Sequence, residues 1–305
     1  MPNTDWMATL SDDLYLPQLS IPGTHDTGCY QAQPQYWLTK YVRTQRLTIP
    51  QQLAAGTRAF DLRCGLAPDN TYHVYHGDYD QEILIQDAVD DIANFVTAHA
   101  GEVVLLLLKG EYGNINSINL NTLINNRLGG TLFPRPGGAQ RWPRLSECRG
   151  RVLVLSRLPA PHASHYSTVG WPNNGFDDTV NVTAHYNVRI QDRWNNPFQG
   201  TKEQAIGDHL RRANTEAIQG NRTQLFLNFC SAFWANWTTL DVAPIFNQYL
   251  RRQFDSAGVI FVDDVSEDLA SHIIGWNPRV NRARPPALDD NPPPRPPRRA
   301  RRGSA

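Results

Sequence analysis

Eight short apolar runs, separated by longer polar segments, constrain the fold of this 305-residue chain more than any other feature. Several of them, such as residues 103–108 (VVLLLL), are apolar without alternation, as expected of strands that are covered on both faces. Eight such strands predict an α/β fold, an irregular TIM-like (β/α)8 barrel. The predicted strands span residues 19–24, 58–63, 72–76, 103–109, 151–157, 188–192, 224–229 and 259–263.

The segments between the runs carry the signals of helices and loops. Apolar side chains recur at helical spacing in residues 81–100, 202–220 and 242–254. The third run follows the second so closely that no helix fits between them, which predicts one tight connection early in the barrel. Pro-, Gly- and Asn-rich composition predicts surface loops over residues 129–144 and 159–181.

The composition changes abruptly after Trp276. Residues 278–305 hold eight Arg and two Asp among many prolines, which predicts a Pro/Arg-rich disordered tail after a folded domain over 1–277. The formal net charge of the whole chain is zero, which gives no argument for a nucleic-acid partner, and none is expected. The chain is expected to be a monomer. The tail is interpreted as solvated, with acidic lipid, nucleic acid or an SH3-like domain as alternative partners.

Four cysteines, without CxxC or zinc spacing, predict buried free thiols, although a Cys29–Cys64 disulfide stays open. The longest apolar run is too short to span a bilayer, so the chain is expected to be soluble and any membrane contact to be peripheral. The compartment stays open as well. The chain is expected to be secreted if a signal peptide has been removed, and cytoplasmic if it is complete.

Polar residues gather at the carboxyl ends of the eight runs. Because the carboxyl ends of parallel barrel strands meet at one mouth, these side chains predict an active site there. The residues are His25, Asp26, Asp61, Arg63, His76, Lys109, Glu111, Arg157, Asp192, Trp194, Asn228 and Asp263.

Four of these segments carry a family resemblance: residues 19–28 (LSIPGTHDTG), 58–63 (RAFDLR), 74–77 (VYHG) and 259–263 (VIFVD). Over roughly residues 15 to 270 the chain resembles the X-domain barrel of phosphatidylinositol-specific phospholipase C, of the bacterial, metal-independent type. The resemblance implies a barrel of the phospholipase C-like phosphodiesterase type. It also implies phosphatidylinositol in membranes as the partner, and attack by the inositol 2-hydroxyl that yields diacylglycerol and a cyclic 1,2-phosphate.

Two histidines and an arginine supply the base, the acid and the cation that this cleavage needs. His25 is expected to deprotonate the 2-hydroxyl, Arg63 to bind the phosphate oxygens, and His76 to protonate the leaving glycerol oxygen. By the resemblance, Asp263 supports His25 and Asp26 supports His76.

The resemblance also implies an inositol-binding set of Lys109, Arg157, Asp192 and Trp194, where the family more often has Tyr in place of Trp194. No metal and no cofactor are expected. Arg63 replaces the second carboxylate of the calcium-dependent relatives, and a fixed cation repels a bound one.

Three tryptophans are candidates for membrane contact, because indole rings prefer the headgroup layer: Trp37, Trp234 and Trp237. Aromatic core residues are the alternative for each. Two rival functions also stay open. One is a metal-dependent enzyme resembling glycerophosphodiester phosphodiesterases, which needs a carboxylate cluster that Arg63 disfavours. The other is an inactive membrane-binding barrel.

Overall fold

A computed structural model describes residues 3–31, 39–195, 198–253 and 255–277. Eleven strands in this part of the chain belong to one sheet. They are β1 (Ser20–Thr24), β2 (Ala59–Leu66), β3 (Tyr72–His76), β4 (Tyr79–Leu84), β5 (Val103–Tyr112), β6 (Arg151–Ser156), β7 (Tyr166–Ser167), β8 (Asp178–Asn181), β9 (Asn187–Gln191), β10 (Gln224–Phe229) and β11 (Gly258–Val262).

The sheet forms a nearly closed barrel in the order β7, β6, β5, β2, β1, β11, β10, β9, β8. Neighbouring strands in this path are parallel, except that β8 runs antiparallel to β9. Parallel strands bring their carboxyl ends to the same mouth. The predicted irregular barrel is therefore the observed architecture.

One predicted barrel strand is wrong. Residues 72–76 form β3, which pairs antiparallel with β2 and with β4, and so belongs to a hairpin outside the barrel path. Gly77 makes the turn of this hairpin with a φ of +57°. The place of the missing parallel strand is taken by β7, which lies in a predicted loop and is only two residues long. A strand that short leaves no pattern in the sequence.

Helices follow most barrel strands. The predicted helices over 202–220 and 242–254 are confirmed as α6 and α7, and the one over 81–100 begins later because its first residues form β4. The helices of the described residues are α1 (Thr39–Val42), α2 (Ile49–Ala55), α3 (Ile85–Ala98), α4 (Ser117–Leu128), α5 (Leu145–Cys148), α6 (Gln199–Ile218), α7 (Thr239–Arg251) and α8 (Glu267–Ile274).

Alternate residues of each strand face opposite sides of the sheet, and both sides are buried. Ala59, Leu105 and Phe261 belong to the cluster that fills the barrel, whereas Phe60 and Leu106 pack against the outer helices. A polar residue two positions beyond an inward-facing residue, at the carboxyl end of its strand, therefore points into the mouth.

The opposite end of the barrel is closed by the amino-terminal segment. Arg58 and Glu102 form a fully buried ion pair there, with Nε and Oε2 separated by 2.8 Å. The Arg58 guanidinium also donates to the carbonyls of Asn3 and Thr4. These hydrogen bonds offset the desolvation of both charges, so the pair fixes the segment across the barrel floor.

All four cysteines are buried free thiols, as predicted, and the Cys29–Cys64 disulfide is not formed. No helix among the described residues has the length and apolarity needed to cross a bilayer.

Candidate active site

The charged residues at the mouth continue the inward-facing positions of the barrel strands. On β2, Asp61 and Arg63 follow the inward-facing Ala59 at intervals of two. Asp263 follows Phe261 in the same way after β11. The spacing of two thus explains why the predicted residues meet. By the same spacing, Lys109, Arg157 and Asp192 follow the inward-facing Leu107, Leu155 and Ile190.

His25 lies where β1 ends, between a carboxylate and a guanidinium. Its Nδ1 is 2.8 Å from Asp263 Oδ1. On the other side of the ring, Nε2 is 2.8 Å from Arg63 Nη2 and 3.4 Å from Asp26 Oδ2. The Asp263 contact leaves Nε2 facing the mouth, where a general base is needed.

Two opposing influences act on the proton of His25. Burial lowers its pKa, but Asp26 and Asp263 outweigh this effect and raise the pKa to about 9. A guanidinium can only donate, so the contact with Arg63 requires a neutral ring whose Nε2 accepts. His25 is therefore a strong base once it has lost its proton.

Arg63 is the centre of the charge network. It contacts Asp26 through Nε, Asp61 Oδ2 at 3.3 Å and Glu111 Oε1 at 3.3 Å. Burial lowers the pKa of this guanidinium, but the surrounding carboxylates raise the pKa well above its usual value. The group is a permanent cation at the mouth.

Three groups at the mouth are close enough to hold a metal ion, because ligand atoms of His25, Asp26 and Asp61 lie within 4.8 Å of one another. Arg63 contacts all three of them. Its guanidinium thus already supplies positive charge where an ion would bind, and repels a second cation. The metal-free mechanism remains a prediction.

His76 reaches the same cluster from the end of β3. Its Nε2 is 3.6 Å from Asp26 Oδ2, and its Nδ1 is 2.8 Å from the Val42 carbonyl oxygen. A carbonyl only accepts, so Nδ1 carries a proton. The resemblance implies Asp26 as the support of His76, and the structure places Asp26 near Nε2 and adds a backbone carbonyl that sets the tautomer through Nδ1.

Glu111 links three parts of the site, a role that the sequence did not assign to it. It contacts Arg63 Nη1 and Lys109 Nζ, and its Oε1 accepts from the Gly77 backbone N–H at 3.2 Å. Burial raises the pKa of this carboxyl, but Arg63 and Lys109 outweigh burial and lower it. Because Gly77 follows His76, Glu111 ties the hairpin to the barrel.

Trp171 is an aromatic contact that sequence reasoning missed. Its indole Nε1 donates to Asp192 Oδ2 at 2.9 Å, and the Arg157 guanidinium lies 4.2 Å from the ring centroid. Trp194, the predicted platform, is 39% exposed. Trp171 lies in a predicted loop, where periodicity gives no signal for the direction of a side chain.

The three membrane candidates have different surroundings. Trp37 lies outside the described residues. Trp234 is half-buried and packs edge-on against Phe246, with ring centroids 5.8 Å apart, whereas Trp237 is 51% exposed. Phe233 beside them is 54% exposed. The loop after β10 therefore presents Phe233 and Trp237 to solvent and anchors itself through Trp234.

Two polar residues near the mouth make structural hydrogen bonds and do not belong to the charged cluster. Asn228 was expected among the mouth residues, but it faces outward from β10 and donates to the Ile206 carbonyl. Lys202, which the sequence did not single out, is fully buried and donates to the carbonyls of Phe229 and Arg193. Burial lowers its pKa to about 8. Both residues tie the strand ends to α6.

The barrel and the ionisable groups at its mouth define the class of the protein as an α/β-barrel enzyme. Residues 19–158 match the family described as phosphatidylinositol-specific phospholipase C, X domain. The chain is 31% identical to the 1-phosphatidylinositol phosphodiesterase of Listeria monocytogenes over 248 residues, which make up 79% of this chain and 72% of that protein. The chain belongs to the phosphatidylinositol-specific phospholipase C X-domain family.

Solved structures have the same fold. The phosphatidylinositol-specific phospholipase C of Staphylococcus aureus gives a TM-score of 0.79 at 21% identity, covering 90% of this chain and 98% of that one. The Listeria monocytogenes enzyme gives 0.71 at 25% identity, covering 90% and 99%. The predicted barrel type is confirmed, and neither rival function is favoured.

Proposed function

We propose that this chain cleaves phosphatidylinositol between glycerol and phosphate. The inositol 2-hydroxyl attacks phosphorus, and the products are diacylglycerol and inositol 1,2-cyclic phosphate. Glycosylated phosphatidylinositol anchors fit the same chemistry. The names of the bacterial relatives support the substrate class.

One observation carries the proposal. A single oxygen, Asp26 Oδ2, lies 3.4 Å from His25 Nε2 and 3.6 Å from His76 Nε2, while Arg63 binds the other oxygen of Asp26. The two imidazole Nε2 atoms therefore converge on one carboxylate, and that carboxylate also holds Arg63. This arrangement suits a phosphodiester whose nucleophile enters on one side of phosphorus while its leaving group departs from the other, with a base at one oxygen, an acid at the other and a cation nearby.

The nucleophile is generated at His25. Its Nδ1 is held by Asp263, so Nε2 takes the proton of the 2-hydroxyl as that oxygen attacks phosphorus. Asp263 stabilises the imidazolium that results. Arg63 donates to the non-bridging oxygens, on which negative charge grows in the transition state.

The leaving group is protonated by His76. The Val42 carbonyl requires a proton on Nδ1, so Nε2 carries a proton only in the doubly protonated ring. Asp26 Oδ2 lies 3.6 Å from this Nε2. His76 Nε2 then gives its proton to the glycerol oxygen as the ester bond breaks.

The inositol ring is bound by the neighbouring charged groups. Lys109, Arg157 and Asp192 offer donors and acceptors to its hydroxyls, and Trp194 offers a flat face at the rim. Trp171 supports this subsite because it holds Asp192 and lies against Arg157.

We further propose peripheral binding of a monomer to phosphatidylinositol-containing membranes, through Phe233 and Trp237 on the loop after β10. Membrane binding is a property of the Staphylococcus aureus relative. We assign the catalytic barrel to residues 1–277, and the Pro/Arg-rich segment over 278–305 lies outside the described residues. Neither cofactor nor metal has a part in the proposed steps.

The proposed function is tested by incubating the protein in EDTA with vesicles that contain phosphatidylinositol, and in parallel with phosphatidylcholine vesicles. Diacylglycerol release from the first and not from the second is expected. A His25→Ala, His76→Ala double variant is the control. An inactive barrel binds vesicles without releasing diacylglycerol, and a metal-dependent enzyme releases it only when a divalent ion is added.

A further inference from the structure

Gln45 is a buried side chain that joins the two strand ends carrying the base and its carboxylate. Its Nε2 donates to the His25 carbonyl at 2.9 Å and to the Val262 carbonyl at 2.9 Å. Its Oε1 accepts from the Val265 backbone N–H at 3.1 Å. The side chain is fully buried, and both ends of its amide are used.

The contacts of Gln45 lie just beyond the end of the pairing between β1 and β11. The β1–β11 ladder ends at the pair Thr24 and Val262, one residue before His25 and Asp263. Beyond the ladder, the His25 N–H still donates to the Val262 carbonyl at 3.0 Å. The amide of Gln45 spans both chains at the point where regular pairing stops.

Thr44 reinforces the same bridge. Its Oγ1 donates to the Asp26 carbonyl at 2.8 Å, and its own carbonyl accepts from the Asp264 N–H at 2.8 Å. Asp26 and Asp264 both have a positive φ, 44° and 50°, which is unfavourable for residues other than glycine. The two turns therefore need outside contacts to keep their shape, and residues 44 and 45 provide them.

We propose that Gln45 is a positioning residue that sets the His25–Asp263 pair and thereby aims His25 Nε2 at the substrate. Without its amide, the His25 carbonyl loses its donor, and the two turns can shift relative to each other. The contact of 2.8 Å between Nδ1 and Oδ1 then lengthens. The inference rests on the proposed function for its effect on turnover, but not for its effect on the pair.

The test replaces Gln45 by methionine, which has similar length and neither donors nor acceptors of comparable strength. Turnover of phosphatidylinositol is expected to fall by up to about 10²-fold, because small misplacements of reacting groups have effects of that size. KM is expected to change little, since Gln45 does not touch the inositol-binding groups. The rising limb of the pH profile is expected to move to lower pH, because a weaker carboxylate contact lowers the pKa of His25.

A second readout is independent of activity. The Nδ1 proton of His25, held by Asp263, gives a downfield proton NMR signal that is assigned by its loss in His25→Ala. In Gln45→Met this signal is expected to move upfield or to broaden through exchange. Gln45→Glu keeps the acceptor for Val265 but loses a donor, and serves as the variant of closer shape if the methionine variant does not fold.

Asn277→Leu is the matched control. Asn277 is another buried amide that braces β1, but at its opposite end, where it binds both the N–H and the carbonyl of Ser20 at 2.9 and 2.8 Å. This variant is expected to lower stability while the His25 signal and the pH profile stay in place.

The inference is overturned if the Gln45 variants keep wild-type turnover and an unchanged His25 signal, or if Asn277→Leu changes both to the same extent. A wild-type protein that leaves phosphatidylinositol intact contradicts the proposed function instead, and the NMR comparison still decides the role of Gln45.

Discussion

Arg63 Nη2 lies 2.8 Å from His25 Nε2, so the phosphate-binding cation and the base are in contact before any substrate is present. The contact can form only while Nε2 is unprotonated, a form whose population grows as the pH rises toward the His25 pKa of about 9. A phosphodiester that takes the Arg63 donors for its own oxygens frees Nε2 to accept the hydroxyl proton. Substrate binding and activation of the base are therefore coupled through one side chain.

Arg63 variants test this relationship first. Arg63→Lys is expected to lower turnover by about 10²-fold or more, because a point charge cannot reproduce the two-pronged contact with two oxygens. Arg63→Asp is expected to remove most activity and, with Asp26 and Asp61, to form a carboxylate site that recruits Ca²⁺.

The measurement is turnover on phosphatidylinositol with EDTA and with added calcium. Arg127→Lys, which alters a surface ion pair with Asp90, is the control and should keep wild-type activity. Full activity of Arg63→Lys in EDTA would remove the guanidinium from the phosphate site.

The activities of the two histidine variants should depend differently on the leaving group of the substrate. His25→Ala and His76→Ala are each expected to lose at least about 10²-fold on phosphatidylinositol. A nitrophenyl inositol phosphate has a leaving group that needs no protonation, so it should restore much of the rate of His76→Ala and little of His25→Ala. Equal rescue of both variants would contradict the assignment of base and acid.

The pH dependence follows from the raised pKa of His25. A base with a pKa of about 9 is mostly protonated at neutral pH, so kcat/KM should rise about tenfold per pH unit up to that pKa. Asp263→Asn removes one carboxylate, which lowers the pKa and shifts the rising limb to lower pH while the maximum rate falls. A limb that stays in place in this variant would show that another group titrates.

Two substitutions in the loop after β10 should affect membrane binding and stability separately. Trp237→Ala is expected to weaken vesicle binding while activity on a water-soluble inositol phosphodiester is retained, because the ring is exposed. Trp234→Ala is expected to lower the melting temperature, because that ring packs against Phe246. Sedimentation with vesicles and thermal unfolding measure the two effects. Unchanged vesicle binding of Trp237→Ala, or equal losses of activity on vesicles and on the water-soluble substrate, would contradict membrane contact through this ring.

Trp171→Phe tests the support of the inositol subsite. The variant keeps an aromatic ring near Arg157 but leaves Asp192 without its indole donor. Loss of a hydrogen bond to a charged group is worth about 1.5–3 kcal/mol, so KM should rise by about tenfold or more. Trp142→Phe, at a buried indole that donates to the Asn187 carbonyl, controls for general destabilisation.

Much of the mouth could be predicted because the strands fix it. Residues at even spacing along a strand face the same side of the sheet, so Arg63 shares the inward side with Ala59, and Asp263 shares it with Phe261. This prediction depends only on the strand assignment. The same rule would have excluded Asn228, which has the opposite parity to the inward-facing Phe229.

The rest depends on contacts that leave no local pattern. Val42 acts through its backbone carbonyl, and Trp171 and Gln45 come from irregular segments whose side-chain directions are set by the packed structure. The hairpin of β3 was mistaken for a barrel strand because an apolar run does not reveal the direction of its pairing.

The most direct test is phosphorus NMR of phosphatidylinositol vesicles with the protein in EDTA. The account predicts that the phosphatidylinositol resonance decays as that of inositol 1,2-cyclic phosphate appears as the first product. A reaction that stops in EDTA and resumes with calcium, or a first product that is not cyclic, would contradict the metal-free attack by the 2-hydroxyl.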